Sequence, residues 1–243
     1  LGLEGIASDP PKEAAGHDGP WVPLHTLVAE ADIITCHTPL TREGPHATHH
    51  LIGREQLAAM KRTAFLINTS RGSVIDNEAL KDALANMEIR GAVLDVWEQE
   101  PGPDRELLKR VEIATAHIAG YSLDGKINGA KMIAREASAF AGKPFDWEPE
   151  LRAPDDPSVD LSHIAPRWTE SIARSVRHAY PIMDDDTRMR TGDGLSESGW
   201  RTHFDYLRKN YPHRREFHAF SVRGTKGDEH VTNTLQALGF HIE

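Results

Sequence analysis

Ala64-Phe65-Leu66-Ile67-Asn68-Thr69-Ser70-Arg71-Gly72 decides how this chain is read. An apolar run short enough for one strand ends abruptly in a polar loop with glycine. A helical pattern from about Asn77 to Asn86 follows, and then a second apolar run, Ile89–Val96. Strand, helix and strand in that order predict two parallel strands joined by a crossover helix.

The pattern repeats outward. Leu3–Ser8, Asp32–His37 and Val111–Thr115 read as further strands, the first closed by Asp9-Pro10-Pro11. Pro23–Glu30, Arg54–Met60 and Asp104–Lys109 read as helices, and a longer one spans Asp124–Ala141. Short apolar strands alternating with helices predict a parallel sheet covered on both faces. Pro144–Asp160 is rich in Pro and Asp and reads as a linker. Beyond it, helices near Arg167–Tyr180 and Ser198–Lys209, a strand near Glu216–Val222 and a helix near His230–Leu238 predict a small α+β module.

Composition narrows the class. Acidic residues outnumber basic ones 37 to 28, so no cation excess is available to track a nucleic-acid backbone. No run approaches the roughly 20 apolar residues of a membrane helix. The single cysteine, Cys36, lies in the apolar run Ile33-Ile34-Thr35-Cys36 and reads as a core residue. It excludes an internal disulfide framework and fits a reducing, cytoplasmic compartment.

Three segments follow strands and carry reactive groups: Asn68-Thr69-Ser70-Arg71-Gly72, Asp95-Val96-Trp97-Glu98-Gln99-Glu100-Pro101, and His117-Ile118-Ala119-Gly120-Tyr121. Open α/β sheets bind ligands at the carboxyl ends of their strands. Arg71 suits a carboxylate, since a guanidinium binds both oxygens and stays charged. Imidazole passes protons readily near neutrality, which suits His117 for a hydroxyl proton. Glu100 suits the orientation of that imidazole. An arginine, a histidine and a supporting carboxylate are the groups needed to oxidise a 2-hydroxy acid. Taken singly, Arg71 fits a loop salt bridge, Glu100 a surface residue and His117 a satisfied core histidine. Their occurrence at successive strand ends favours the functional reading.

These segments, with His37-Thr38-Pro39-Leu40-Thr41 before them, follow the order seen in the D-isomer-specific 2-hydroxyacid dehydrogenases, which the chain resembles. Gly44-Pro45, the run His117–Lys126 and the tail Phe204–Tyr211 with Arg214-Arg215-Glu216 are similar to a branch acting on phosphorylated hydroxy acids. The resemblance implies a Rossmann-like, partial NAD-binding domain over residues 1–150 and a C-terminal dimerisation domain over 151–243. It implies Arg71, Glu100 and His117 as catalytic residues. Asp9, Thr38, Thr69, Asp95 and Gly120 are implied to hold NAD, Tyr121 to touch substrate, and the protein to be a homodimer without nucleic-acid or membrane partners.

No Gly-x-Gly-x-x-Gly occurs in the sequence. In this fold that loop joins the first strand to the first helix and cradles a pyrophosphate. The expectation is therefore an N-terminally truncated chain whose α/β sheet lacks its first strand, and which is inactive alone. Other members of the family, and a non-catalytic NAD-binding scaffold, remain as alternatives. His46, His49 and His50 cluster in one loop, but no carboxylate or cysteine has suitable spacing beside them, so no metal is expected. Asp184-Asp185-Asp186 reads as a solvated helix end or loop, because the glycine and distal glutamate of a calcium loop are absent.

Overall fold

The computed structural model describes residues 2–145, 147–163, 167–225 and 227–243. Asp146, within the expected linker, lies outside them. In chain order come α1 (Pro10–Ala14), α2 (Leu24–Glu30), β1 (Ile33–Cys36), α3 (Arg54–Ala59), β2 (Phe65–Asn68), α4 (Asn77–Ala85), β3 (Gly91–Leu94), α5 (Arg105–Arg110) and β4 (Ile113–Ala114). After these come α6 (Leu123–Ala141), β5 (Ser158–Asp160), α7 (Trp168–Ala179), α8 (Ile182–Arg190), α9 (Glu197–Lys209), β6 (Ser221–Arg223), α10 (Glu229–Ala237) and β7 (His241–Ile242).

The chain forms two compact units, and they do not follow a simple cut at residue 150. One contains residues 2–119 and 183–210. The other contains 120–182 and 211–243.

The first unit is built on a four-stranded parallel sheet in the order β1-β2-β3-β4. Leu66, Ala92, Leu94 and Ala114 of its strands are fully buried, with Leu57, Leu80, Leu107 and Leu108 from the helices around them. Asp76 and Asp104 begin α4 and α5 by accepting the Ala79 and Leu107 N–H groups, so each crossover starts at a defined point. The expected cover on both faces is incomplete at β1, where burial alternates and Ile33 is 53% exposed.

Two expectations fail here. Leu3–Ser8 is no strand: Ala7 makes one isolated parallel bridge to Trp21, and no neighbouring strand continues the ladder. The two prolines after it open helix α1, where a missing N–H costs nothing, and Asp9 caps that helix through the Lys12 N–H.

The aspartate triplet is also corrected. Asp184-Asp185-Asp186 lies inside α8, with Asp185 and Asp186 buried. Asp186 accepts the Ala114 N–H of β4 at 2.7 Å and pairs with the Arg190 Nε at 2.9 Å. Arg190 in turn donates to the Leu108 and Val111 carbonyls at the end of α5. A buried carboxylate is tolerable because donors surround it. Met189, Trp200 and Phe204, all fully buried, join the same core, and the Trp200 indole N–H donates to the Pro103 carbonyl at 2.8 Å. Residues 183–210 are therefore part of the sheet unit.

The second unit has three strands, all parallel, in the order β5-β6-β7, with α10 as the crossover between the last two. Strand β5 lies inside the stretch expected to be linker. Val159, Leu161, Ile172, Val222, Val231, Leu235 and Phe240 form its core. Asp124, at the start of α6, is 2% exposed and accepts from the Arg215 guanidinium at 2.9–3.2 Å and from the Glu216 N–H at 2.9 Å. His218 approaches it at 3.1 Å. Burial pushes the Asp124 carboxyl up, but these partners outweigh it and hold it below the ordinary value of 3.8.

Trp200→Ala is expected to cost the sheet unit about 3–5 kcal/mol in urea unfolding, as large cavities in cores do. A loss under about 1 kcal/mol would separate residues 183–210 from that core. A carboxyl depressed in the folded state adds stability that is present above its unfolded value and lost as pH falls through its folded one. Asp124→Asn should therefore lower Tm at neutral pH, and the gap to the native chain should close as pH drops below 3.8. A gap that does not change with pH would contradict the assignment.

Candidate active site

Because β2, β3 and β4 run parallel in register, their carboxyl ends open on one edge of the sheet. Arg71, Glu100 and His117 each stand just beyond one of those ends. Their placement follows from how each loop is tied down.

The loop after β2 is folded around Asn68, which is fully buried. Its side-chain carbonyl accepts the Ser70 N–H and hydroxyl at 3.0 and 2.8 Å, and its amide donates to the Arg71 carbonyl at 2.9 Å. Arg71 is exposed, and its Nη1 donates to the Ser70 carbonyl at 2.7 Å. Among the described residues it makes no ion pair. Gly72 packs against the next loop so closely that a Cβ would stand 2.0 Å from the Trp97 carbonyl and 2.5 Å from the Glu98 nitrogen. Only glycine fits that approach.

The loop after β3 is held from both sides. The Trp97 indole donates to the Thr115 carbonyl at 3.0 Å, and the Trp97 N–H donates to Glu100 Oε1 at 2.9 Å. The other oxygen, Glu100 Oε2, lies 2.7 Å from His117 Nδ1. A carboxylate only accepts, so this contact puts a proton on Nδ1, and in the neutral ring the lone pair is then on Nε2. Nε2 has no protein partner among the described residues, and the side chain is 28% exposed.

Asp95 fixes the loop after β4. Its buried carboxylate accepts the Thr115 hydroxyl at 2.6 Å and the Ile118 and Ala119 N–H groups at 2.7 and 3.0 Å. Its own carbonyl accepts the His117 N–H at 2.7 Å. His117 is thereby held at φ 54°, a left-handed conformation that non-glycine residues adopt at a cost.

The remaining expected residues are placed as follows. Thr38 follows β1, and its hydroxyl is buried without a hydrogen-bond partner among the described residues, an orphan that suits a ligand contact. Thr69 is half-buried beside Asn68. Asp9 is engaged with its own helix through the Lys12 N–H and ammonium. Gly120 and Tyr121 belong to the second unit. A Cβ on Gly120 would meet nothing within 4 Å. The Tyr121 ring meets Tyr211 edge-on at 6.1 Å, with Lys126 Nζ 4.3 Å above it. Cys36 is buried, as expected, and burial pushes its thiol up to about 12. An unionised buried thiol is no nucleophile.

A second histidine–carboxylate pair escaped the sequence. His50 Nε2 lies 2.6 Å from Glu98 Oε1, while His50 Nδ1 faces Asp76 Oδ2 at 3.8 Å. Glu98 Oε2 accepts the Asn77 N–H at 3.0 Å. With both ring nitrogens turned to carboxylates, His50 is less suited than His117 to take a proton from a ligand. Glu98 lies 48 residues from His50, a separation at which spacing says nothing. No helix among the described residues is long and apolar enough to cross a membrane.

Residues 1–119 match the profile of the D-isomer specific 2-hydroxyacid dehydrogenase, NAD binding domain, and residues 151–239 match a domain of unknown function. The chain is 39% identical over 241 residues to the erythronate-4-phosphate dehydrogenase of Klebsiella pneumoniae, covering 99% of this chain and 62% of that protein. It is 42% identical over 242 residues to the enzyme of the same name from Azotobacter vinelandii, covering 98% and 63%. It therefore spans less than two thirds of the length of these relatives. A D-lactate dehydrogenase with NAD+ from Lactobacillus jensenii is 31% identical over 54% of this chain and 43% of its own, with a TM-score of 0.44. Residues 1–119 are thus similar to the NAD-binding domain of the D-isomer specific 2-hydroxyacid dehydrogenases, and the chain as a whole to part of the erythronate-4-phosphate dehydrogenases.

Proposed function

We propose that this chain carries the catalytic residues for NAD-linked oxidation of 4-phospho-D-erythronate to its 2-oxo acid, a step toward vitamin B6. The observation behind the chemistry is the His117–Glu100 pair, with Nε2 unpartnered among the described residues, at the same sheet edge as Arg71. The substrate follows the name of the relatives that match nearly the whole chain.

In this reading Arg71 binds the substrate carboxylate through its exposed guanidinium. His117 Nε2 accepts the C2 hydroxyl proton, and Glu100 stabilises the imidazolium that results. Bound NAD supplies the acceptor for the C2 hydride. Thr38, Thr69, Asp9, Asp95 and Gly120 hold the dinucleotide, and the orphan Thr38 hydroxyl offers it a buried polar contact. Tyr121 touches the substrate. Turnover also needs a glycine-rich phosphate loop, which these 243 residues do not contain. Residues 151–243 supply a homodimer contact, as the likeness of the C-terminal tail suggests, and the protein works in the cytoplasm.

The test is NADH formation from 4-phospho-D-erythronate by a chimera that adds the N-terminal segment of a curated relative to this chain. His117→Ala should lower kcat by about 10²–10⁴-fold, the usual worth of a positioned base. Gly72→Ala should lower both kcat and Tm, because its Cβ meets the Trp97 backbone. Normal turnover in the His117→Ala chimera would overturn the mechanism, and turnover of unphosphorylated 2-hydroxy acids alone would overturn the substrate.

A further inference from the structure

The second histidine–carboxylate pair has a third member. The His49 and His50 rings stack at 4.0 Å between centroids and 20° between planes. One ligand atom each from His49, His50 and Glu98 lies within 4.8 Å of the others. His50 reaches this position at φ 53°, a strained backbone for a residue with a side chain.

We propose that His49, His50 and Glu98 bind a divalent transition cation of the zinc class. Two imidazoles and one carboxylate are the donor set of open zinc sites, which leave a fourth position to water. Magnesium and calcium prefer oxygen ligands and fit it poorly. The surroundings are those of a metal site as well. A ligating imidazole usually donates its other N–H to a carboxylate, and His50 Nδ1 faces Asp76. A ligating carboxylate is usually itself hydrogen-bonded, and Glu98 Oε2 accepts the Asn77 N–H.

Binding requires His50 to carry its proton on Nδ1, toward Asp76, so that Nε2 turns its lone pair to the ion. The 2.6 Å contact to Glu98 Oε1 then opens to admit the cation. None of these residues takes part in the proposed oxidation, so the two proposals stand or fall separately.

The probe is Co²⁺, followed by its visible absorption, with Zn²⁺ as competitor, on the tag-free 243-residue chain. One Co²⁺ per chain is expected, displaced by Zn²⁺ and not by Mg²⁺. His49→Ala should weaken binding at least about tenfold, and Glu98→Gln should do the same without emptying the loop of its histidines. His46→Ala, which removes the loop histidine outside the cluster, should change nothing. Thermal unfolding without metal checks that the variants fold, and Glu98→Gln carries the test if His49→Ala does not. No stoichiometric binding, binding unchanged in His49→Ala and Glu98→Gln, or binding lost in His46→Ala would overturn the proposal.

Discussion

The buried carboxylate of Asp95 is the constraint on which the candidate site depends. A carboxylate in a dry interior costs several kcal/mol unless donors meet it, and here three internal donors do. Two of them are the backbone N–H groups of Ile118 and Ala119, in the turn after β4. The carboxylate and the turn satisfy each other, and the turn so formed holds His117 at a φ it would not choose. Asp95 thus positions the histidine, besides any role toward a dinucleotide.

Glycine at position 72 applies the same logic to the neighbouring loop. The backbone of Trp97 and Glu98 comes so near that no side chain fits, so the loop bearing Arg71 packs main chain against main chain on the loop bearing Glu100. Trp97 then carries the connection onward, with its indole on the Thr115 carbonyl and its backbone N–H on Glu100. Three strand ends, each with its own sequence, are locked by contacts between main chains and a few buried polar groups. Side-chain burial alone does not set this geometry, since Arg71, Glu100 and His117 all remain partly open.

How much of this was legible in sequence depended on the range of the contact. β2, α4 and β3 were legible because their periodicity is local and α4 starts at its Asp76 cap. Leu3–Ser8 has the composition of a strand but no neighbour to pair with, and composition cannot supply one. Strand β5, three residues within a Pro- and Asp-rich stretch, exists only through its pairing with β6 some sixty residues later. The triplet 184–186 misled for the opposite reason. It looked solvated, but Asp186 has the Ala114 N–H and Arg190 as partners, and charge in a sequence does not announce its counter-charge. The His117–Glu100 pair was legible because both residues stand at successive strand ends, an order that family likeness also carries. The His50–Glu98 pair, equally short, was not, because nothing local joins residue 50 to residue 98.

The proposed chemistry turns on the protonation of one imidazole. In the 243-residue chain at neutral pH, nitrogen-15 shifts of the His117 ring report which nitrogen bears hydrogen. The geometry predicts a protonated Nδ1 and a lone pair on Nε2, with the preference lost in Glu100→Gln. A ring protonated on Nε2 instead, or one indifferent to Glu100→Gln, would contradict it.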